Sequence, residues 1–286
     1  MFDLYVGIGN TLNGLSGGLR IMLANAQGFN APGFKYFSPN YETVFSRVVG
    51  GATRVTNPSE FPGGITLAST DTDFSQGSIT FGTHMDNAII RDGFFILSKS
   101  ARNFIGAEQV YTRVGRFQVD STNTYIVDAN GRKVFGYRVD SSGNPIDNNL
   151  VPIQTNGESD IGFEDGGILV ADYQKHKDEV KAEVENPTQS RPMYRLALTT
   201  FPNKQGLVLE NGSAWSASIA SGDPLPPGIA NSDRYGDIRG SALEGSNVDV
   251  ARIALDLAVL NRSFTAVQGL IDDVNKVTSG LISKLQ

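Results

Sequence analysis

The chain has 286 residues, a formal net charge of −6 and 40% hydrophobic residues. That length accommodates one large domain or two modest ones, and an acidic chain with no Lys/Arg cluster argues against nucleic acid as a partner. There are no cysteines, so disulfides and thiolate metal sites are excluded.

The first residues, Met1-Phe2-Asp3-Leu4, carry no basic region, and Asp3, Asn10, Asn13 and Arg20 interrupt any apolar run. Neither a cleaved secretory signal nor a membrane-spanning helix is expected. Over residues 4–29, Tyr5, Ile8, Leu12, Leu15, Leu19, Met22, Ala26 and Phe29 recur at steps of three and four. This spacing predicts a helix packed along a seam. Gly7, Gly9, Gly14, Gly17 and Gly18 weaken it, by roughly 1 kcal/mol each relative to Ala. Such a helix is expected to order only on packing, its small residues letting neighbouring backbones come close.

Residues 36–78 read as an extended linker. Pro39, Pro58 and Pro62, with Gly50-Gly51 and Gly63-Gly64, stop any long helix. Residues 79–244 read as a β-rich domain. Expected strands are Ile79–Phe81, Ala88–Ile90, Phe94–Leu97, Val110–Arg113, Phe117–Val119, Tyr125–Val127, Lys133–Val139 and Arg195–Thr200. Asp128-Ala-Asn-Gly131 and Asp140-Ser-Ser-Gly143 are turn sequences between strands. Residues 155–192 include a charged run, Ala171–Glu185, that reads as a solvated face on an insertion into the β domain.

Residues 247–285 predict a long helix, with Ser246 or Asn247 as its cap and Asp249 in the first turn. Val250, Ile253, Leu257, Leu260, Phe264, Val267, Ile271, Val274, Leu281 and Leu285 form its apolar ladder, broken only at Thr278. Leu255, Ala258, Val259, Ala266, Leu270, Val277 and Ile282 widen that stripe beyond a two-stranded seam. At ~1.5 Å per residue the helix approaches ~55 Å, and a β unit offers no groove of that length. The N-terminal helix covers only one flank, so other copies of the chain are expected to cover the rest. The candidate subunit-interface residues are therefore Ile8, Leu12, Leu15, Leu19, Met22 and Phe29 at one end, and Leu257, Leu260, Phe264, Val267, Ile271, Val274, Leu281 and Leu285 at the other.

Nothing in the sequence assembles a catalytic constellation. The two histidines, His84 and His176, read as surface residues, and no nucleophile elbow, phosphate loop or zinc helix occurs. Asp71-Thr-Asp73 and Asp140…Asp147 could bind a cation weakly, but turn chemistry explains both better, and the second lacks the spacing of a calcium loop. No enzyme activity, cofactor or metal is expected.

Several segments, in order, resemble the bacterial flagellar rod and hook axial proteins. They are Leu23-Ala-Asn25-Ala-Gln-Gly-Phe-Asn30-Ala-Pro-Gly33-Phe34-Lys35, Asp73-Phe-Ser-Gln76-Gly77-Ser-Ile79, Asp86-Asn-Ala88 through Gly93-Phe94-Phe95, Tyr111-Thr-Arg113-Val-Gly115-Arg-Phe117, Glu244-Gly-Ser246-Asn247-Val248-Asp249 and Asn261-Arg262-Ser-Phe264. Arg252 departs from the pattern, standing where the family carries an acidic residue. The resemblance implies paired terminal helices stacked into the inner tube of a helical assembly, with the β domain outside. It implies copies of itself, related axial proteins, the type III export apparatus and surrounding ring proteins as partners. It places the chain in the flagellum, as periplasmic rod or extracellular hook, exported without a cleaved signal.

The fold class expected is α+β. Paired long N- and C-terminal helices, coiled-coil-like and formed by 1–35 with 245–286, accompany a central β domain reached through the linker. Two other readings stand beside it. One is an exported β-rich adhesive or carbohydrate-binding protein dimerised through its terminal helices, which the single Trp215 and few clustered aromatics disfavour. The other is a membrane-surface protein, which the scarcity of Lys and Arg on the last helix disfavours.

Overall fold

A computed structural model describes residues 2–44, 47–50, 59–61, 63–98, 109–120, 122, 124–184, 187–211, 213–232 and 234–285. Among these, three α-helices form: α1 (Phe2–Gly28), α2 (Tyr173–Lys181) and α3 (Val250–Leu285). The chain divides into two compact units. One comprises Met1–Phe29, Tyr36–Asp73 and Val248–Gln286; the other comprises Asn30–Lys35 and Phe74–Asn247.

In the first unit, α1 and α3 pack antiparallel. Tyr5 Oη donates to Asn275 Oδ1 at 3.2 Å, and the Gly18 side of α1 faces Leu260. The stretch expected as a linker is instead folded. β1 (Tyr36–Thr43) pairs with β4 (Ile65–Asp73), and β2 (Arg47–Gly50) pairs with β3 (Ser59–Phe61), all antiparallel. Gly51, Pro58 and Pro62 lie outside the described residues. Pro39 does not prevent pairing, because β1 sits in a two-stranded sheet where an outward N–H has no ladder partner to lose. The hairpin was hidden by its polarity: β4 is largely Ser, Thr and Asp and shows no apolar alternation.

Gly7, Gly14, Gly17 and Gly18 of α1 face this β segment, whereas Gly9 faces open space. A Cβ added at Gly7 would lie 3.5 Å from the Gly63 carbonyl carbon, and one at Gly14 would lie 3.0 Å from Ile65 O. The helix therefore approaches the strand backbone almost to contact, as its composition suggested. At its last turn, buried Asn25 behaves like a strand residue. Its Nδ2 donates to Phe37 O at 2.8 Å, and its Oδ1 accepts from Phe37 N at 2.9 Å. The terminal helices thus find part of their cover inside one protomer, with β1 and β4 adding to what each helix gives the other.

The second unit holds β5 (Ile79–Phe81), β6 (Asp86–Ile90), β7 (Phe94–Ser98) and β8 (Gln109–Thr112), and strands form at each remaining expected segment. Its largest sheet has twelve strands among the described residues. The main path runs from Ile161–Glu164 through Ile168–Ala171, Arg191–Leu196, Lys133–Arg138, β7, β8 and Ala214–Ser216 to Val208–Glu210. At β7 both faces are buried. Phe95 and Leu97 enter one apolar cluster with Phe117, Phe163 and Leu196, whereas Phe94 and Ile96 enter an aromatic one with Tyr111, Phe201 and Trp215. That explains the unbroken apolar run Phe94–Leu97. The two expected turns close as hydrogen-bonded reversals, Gly131 N to Asp128 O and Gly143 N to Asp140 O, both at 3.0 Å.

Residues 155–192 differ from expectation. They contribute Ile161–Glu164 and Ile168–Ala171, which extend the sheet itself, and α2 carries the middle of the charged run. Short four-residue strands flanked by Gly and Asp gave too little period to be seen beside so many charges.

Candidate assembly interface

The ladder of α3 runs along its covered side. Ile253, Leu260 and Val267, seven residues apart, are buried. Leu257 and Phe264 between them, and Ile271 and Val274 beyond them, are half-buried, as is Thr278, which keeps the register despite its polarity. On α1, Ile8, Leu15 and Met22 repeat the same spacing and are buried, while Leu12 and Leu19 are half-buried. Phe29 is 43% exposed and Leu281 49% exposed. The Leu285 side chain lies outside the described residues. Asp249 caps α3, its Oδ1 accepting from Ala251 N at 2.9 Å, in place of the Ser246 or Asn247 cap expected.

A second apolar stripe on α3 is exposed among the described residues. Leu255 is 69% exposed, Val259 65%, Leu270 57% and Val277 63%. With exposed Ala266 they follow steps of four and seven. At 3.6 residues per turn this stripe lies roughly 120° around the helix from the covered ladder. The polar surface beside it carries few charges: Arg262, Asp272, Asp273 and Lys276 are spread over four turns.

Arg252, which departs from the family pattern, has a defined place. Its guanidinium stacks over the Tyr36 ring at 3.9 Å and faces Asp73 at 3.7 Å. Tyr36 Oη donates to Asp256 in a short hydrogen bond. Burial, then the Asp256 carboxylate, pushes the Tyr36 pKa up to about 12. Tyr36, Arg252 and Asp256 line a cavity of about 210 Å³ with Met22, Tyr41 and Leu260. The arrangement holds β1 against the first turns of α3.

In the second unit, three charged side chains meet out of water. Glu244 Oε1 lies 2.7 Å from Lys35 Nζ, and Glu244 Oε2 lies 2.8 Å from Arg113 Nε. Gly33 N donates to Glu244 O at 2.8 Å. Gly33 itself has φ +63°, and a Cβ there would crowd Val114 Cγ2 at 2.8 Å, so the bend needs glycine. Residues 30–35 are thereby fixed to the β unit. Each of these residues belongs to a segment that carried the family resemblance, but sequence order gave no sign that Lys35, Arg113 and Glu244 converge.

Chemistry remains sparse. His84 is exposed, and half-buried His176 has Nδ1 2.6 Å from Thr188 O. Asp140 Oδ1 accepts from Ser142 N and Asn144 N, which makes it a turn former as expected. Among the described residues no three His, Asp or Glu side chains gather as a metal site. No described helix is long and apolar enough to cross a membrane. A cleft of about 580 Å³ beside α2 is lined by Tyr173, His176, Lys177, Glu164 and Asp165. Tyr173 is engaged there with Lys177 and with Ser241, at 2.8 Å from Ser241 Oγ.

No family model matches the chain. Curated proteins do. The flagellar basal-body rod protein FlgG of Bacillus subtilis is 23% identical over 98% of this chain and 98% of its own length. The rod protein FlgG of Agrobacterium fabrum is 26% identical over 73% of this chain and 68% of its own. The flagellar hook protein FlgE of Treponema pallidum is 33% identical over 40% of this chain, a match that spans 25% of the hook protein. The chain is thus related to the flagellar rod and hook proteins.

Proposed function

We propose that the chain is a structural, non-enzymatic subunit of the bacterial flagellar axis, polymerising helically into a hollow shaft that transmits torque. The observation that carries this reading is the match to a rod protein over nearly the whole of both chains. That match favours rod over hook, since the Treponema hook protein is matched over only a quarter of its length. On this reading the terminal helices, packed in coiled-coil fashion, form the inner tube and the β unit the outer layer. The partners are other copies, related axial proteins, the type III export apparatus and rings around the shaft.

The uncovered stripe of α3 supplies the contact. Burying Leu255, Val259, Leu270 and Val277 against neighbours is worth roughly 1.5–3 kcal/mol for each side chain, before the cost of association. Phe29 and Leu281, also exposed, join that surface. Leu12, Leu19, Leu257, Phe264, Ile271 and Val274 keep a part-open flank for it. Ile8, Leu15, Met22, Leu260 and Val267 serve it indirectly, by holding α1 and α3 together. The carbohydrate-binding alternative loses its one aromatic candidate, because Trp215 is 1% exposed within the core.

Electron microscopy of concentrated protein tests the reading. Wild type should form rods or tubes. Leu255→Glu with Leu270→Glu should abolish them while the protomer unfolds at an unchanged temperature. Discrete dimers of wild type under every condition would refute it.

A further inference from the structure

The buried charges of the second unit support an inference that the assembly role does not contain. Lys35, Arg113 and Glu244 have side chains 0%, 2% and 0% exposed. Glu244 serves both cations, and its Oε1 also accepts from Gly77 N at 3.0 Å. Lys35 Nζ donates in addition to Ser75 O at 2.7 Å. Arg113 meets its counter-charge in Glu244 and spends its other donors on neutral carbonyls. These are Arg91 O at 2.9 Å, Gly93 O at 3.1 Å and Ile89 O at 3.2 Å. Without the Glu244 carboxylate, the guanidinium would sit out of water among uncharged acceptors.

Chain order gives this arrangement a direction. Lys35 precedes Glu244 by 209 residues and Arg113 precedes it by 131. A chain made from its N-terminus acquires both cations long before the anion they share. An uncompensated buried charge is among the most destabilising features a fold can carry. We propose that Glu244 is a completion lock: the β unit stays closed only once the segment carrying this carboxylate has docked. Glu244 lies six positions before α3 begins, so closure requires that synthesis has reached the threshold of that helix. On the assembly reading, and resting on it, the lock keeps unfinished chains out of the polymer.

The test concerns folding alone and is read on dilute full-length protein, so failure to polymerise does not affect it. Trp215, the single tryptophan, lies in the core of this unit and reports its unfolding in urea. Glu244→Gln should lower the folded-to-unfolded ratio by about 100-fold or more. Arg113→Met should be about tenfold or more less harmful when added to that variant than when made in wild type, because the cation it removes has already lost its counter-charge. A Glu244→Gln protein within threefold of wild type would overturn the proposal. So would an Arg113→Met change that is equally harmful in both backgrounds, since the two charges would then act independently. Should Glu244→Gln fail to fold, the double variant decides. A restored cooperative Trp215 transition supports the lock, and its absence refutes it.

Discussion

Replacing Gly18 by Ala sets two effects of opposite sign against each other. Within a helix, Ala is favoured over Gly by about 1 kcal/mol. At Gly18 the new Cβ would overlap Tyr41 Oη and lie 3.1 Å from Tyr41 Cζ and 3.5 Å from Leu260 Cδ2. The clash is with the far end of the Tyr41 side chain, which can relieve it only by leaving its place beside Met22 and Leu260. Overpacking of this kind costs about 1–3 kcal/mol, which outweighs the propensity gain. Gly9 is the control, because a Cβ there meets nothing within 4 Å. Gly9→Ala should stabilise the first unit by up to about 1 kcal/mol, while Gly18→Ala should destabilise it by about 1 kcal/mol.

Tyr41→Phe completes a double-mutant cycle. It removes an oxygen that is buried without a hydrogen-bond partner among the described residues. Burial of such an oxygen costs about 1–3 kcal/mol, so Tyr41→Phe alone should be mildly stabilising. In its background Gly18→Ala should lose most of its penalty, giving a coupling of about 1 kcal/mol or more. Urea unfolding followed by far-UV circular dichroism reads all four proteins. Equal effects of Gly9→Ala and Gly18→Ala, or strict additivity with Tyr41→Phe, would show that α1 does not lie against β1 as described.

Leu260→Ala should cost about 2–5 kcal/mol because that side chain is buried against α1, whereas exposed Leu270→Ala should stay within about 0.5 kcal/mol in the protomer; urea unfolding separates them. Tyr36, held up at about 12, keeps its proton more tightly folded than unfolded. Its contribution to stability is therefore complete below about pH 10 and is lost as pH rises toward 12; unfolding midpoints across that window should fall less steeply in Tyr36→Phe. Gly131→Ala, at φ +75° with open space around it, should cost about 1–2 kcal/mol through backbone strain alone, read from Trp215 fluorescence.

The long periods were the legible part of this sequence. Both terminal helices announce themselves because apolar side chains keep steps of three and four over many turns, and the buried positions fall on those steps. The central strands were legible where apolar runs met Asp-Gly-type turns, as at Lys133–Arg138. The β1–β4 hairpin was not, because its polar strands are stabilised by contact with α1 rather than by apolar alternation of their own. Nor was the role of Asn25, whose amide bonds to the Phe37 backbone only once helix and strand have met. The Lys35–Arg113–Glu244 group was invisible for the same reason: long-range closure, not local pattern, creates it.

The two apolar stripes of α3 differ in period as well as exposure, and the difference bears on what each one contacts. The covered residues Ile253, Leu260 and Val267 repeat every seven positions. That repeat is shorter than two ideal helical turns and favours a left-handed wrap, as a close intramolecular partner such as α1 provides. Leu255, Ala266 and Val277 repeat every eleven, as do Val259 and Leu270. An eleven-residue repeat drifts the other way, toward a straight or slightly right-handed line. One neighbour cannot follow both lines along a helix of 36 residues. The exposed stripe is therefore not the outer flank of the α1 seam, and whatever covers it crosses α3 with a different hand. In the proposed shaft that role falls to a helix of another copy, which is why Leu255 and Leu270 separate assembly from folding more cleanly than any residue on the ladder.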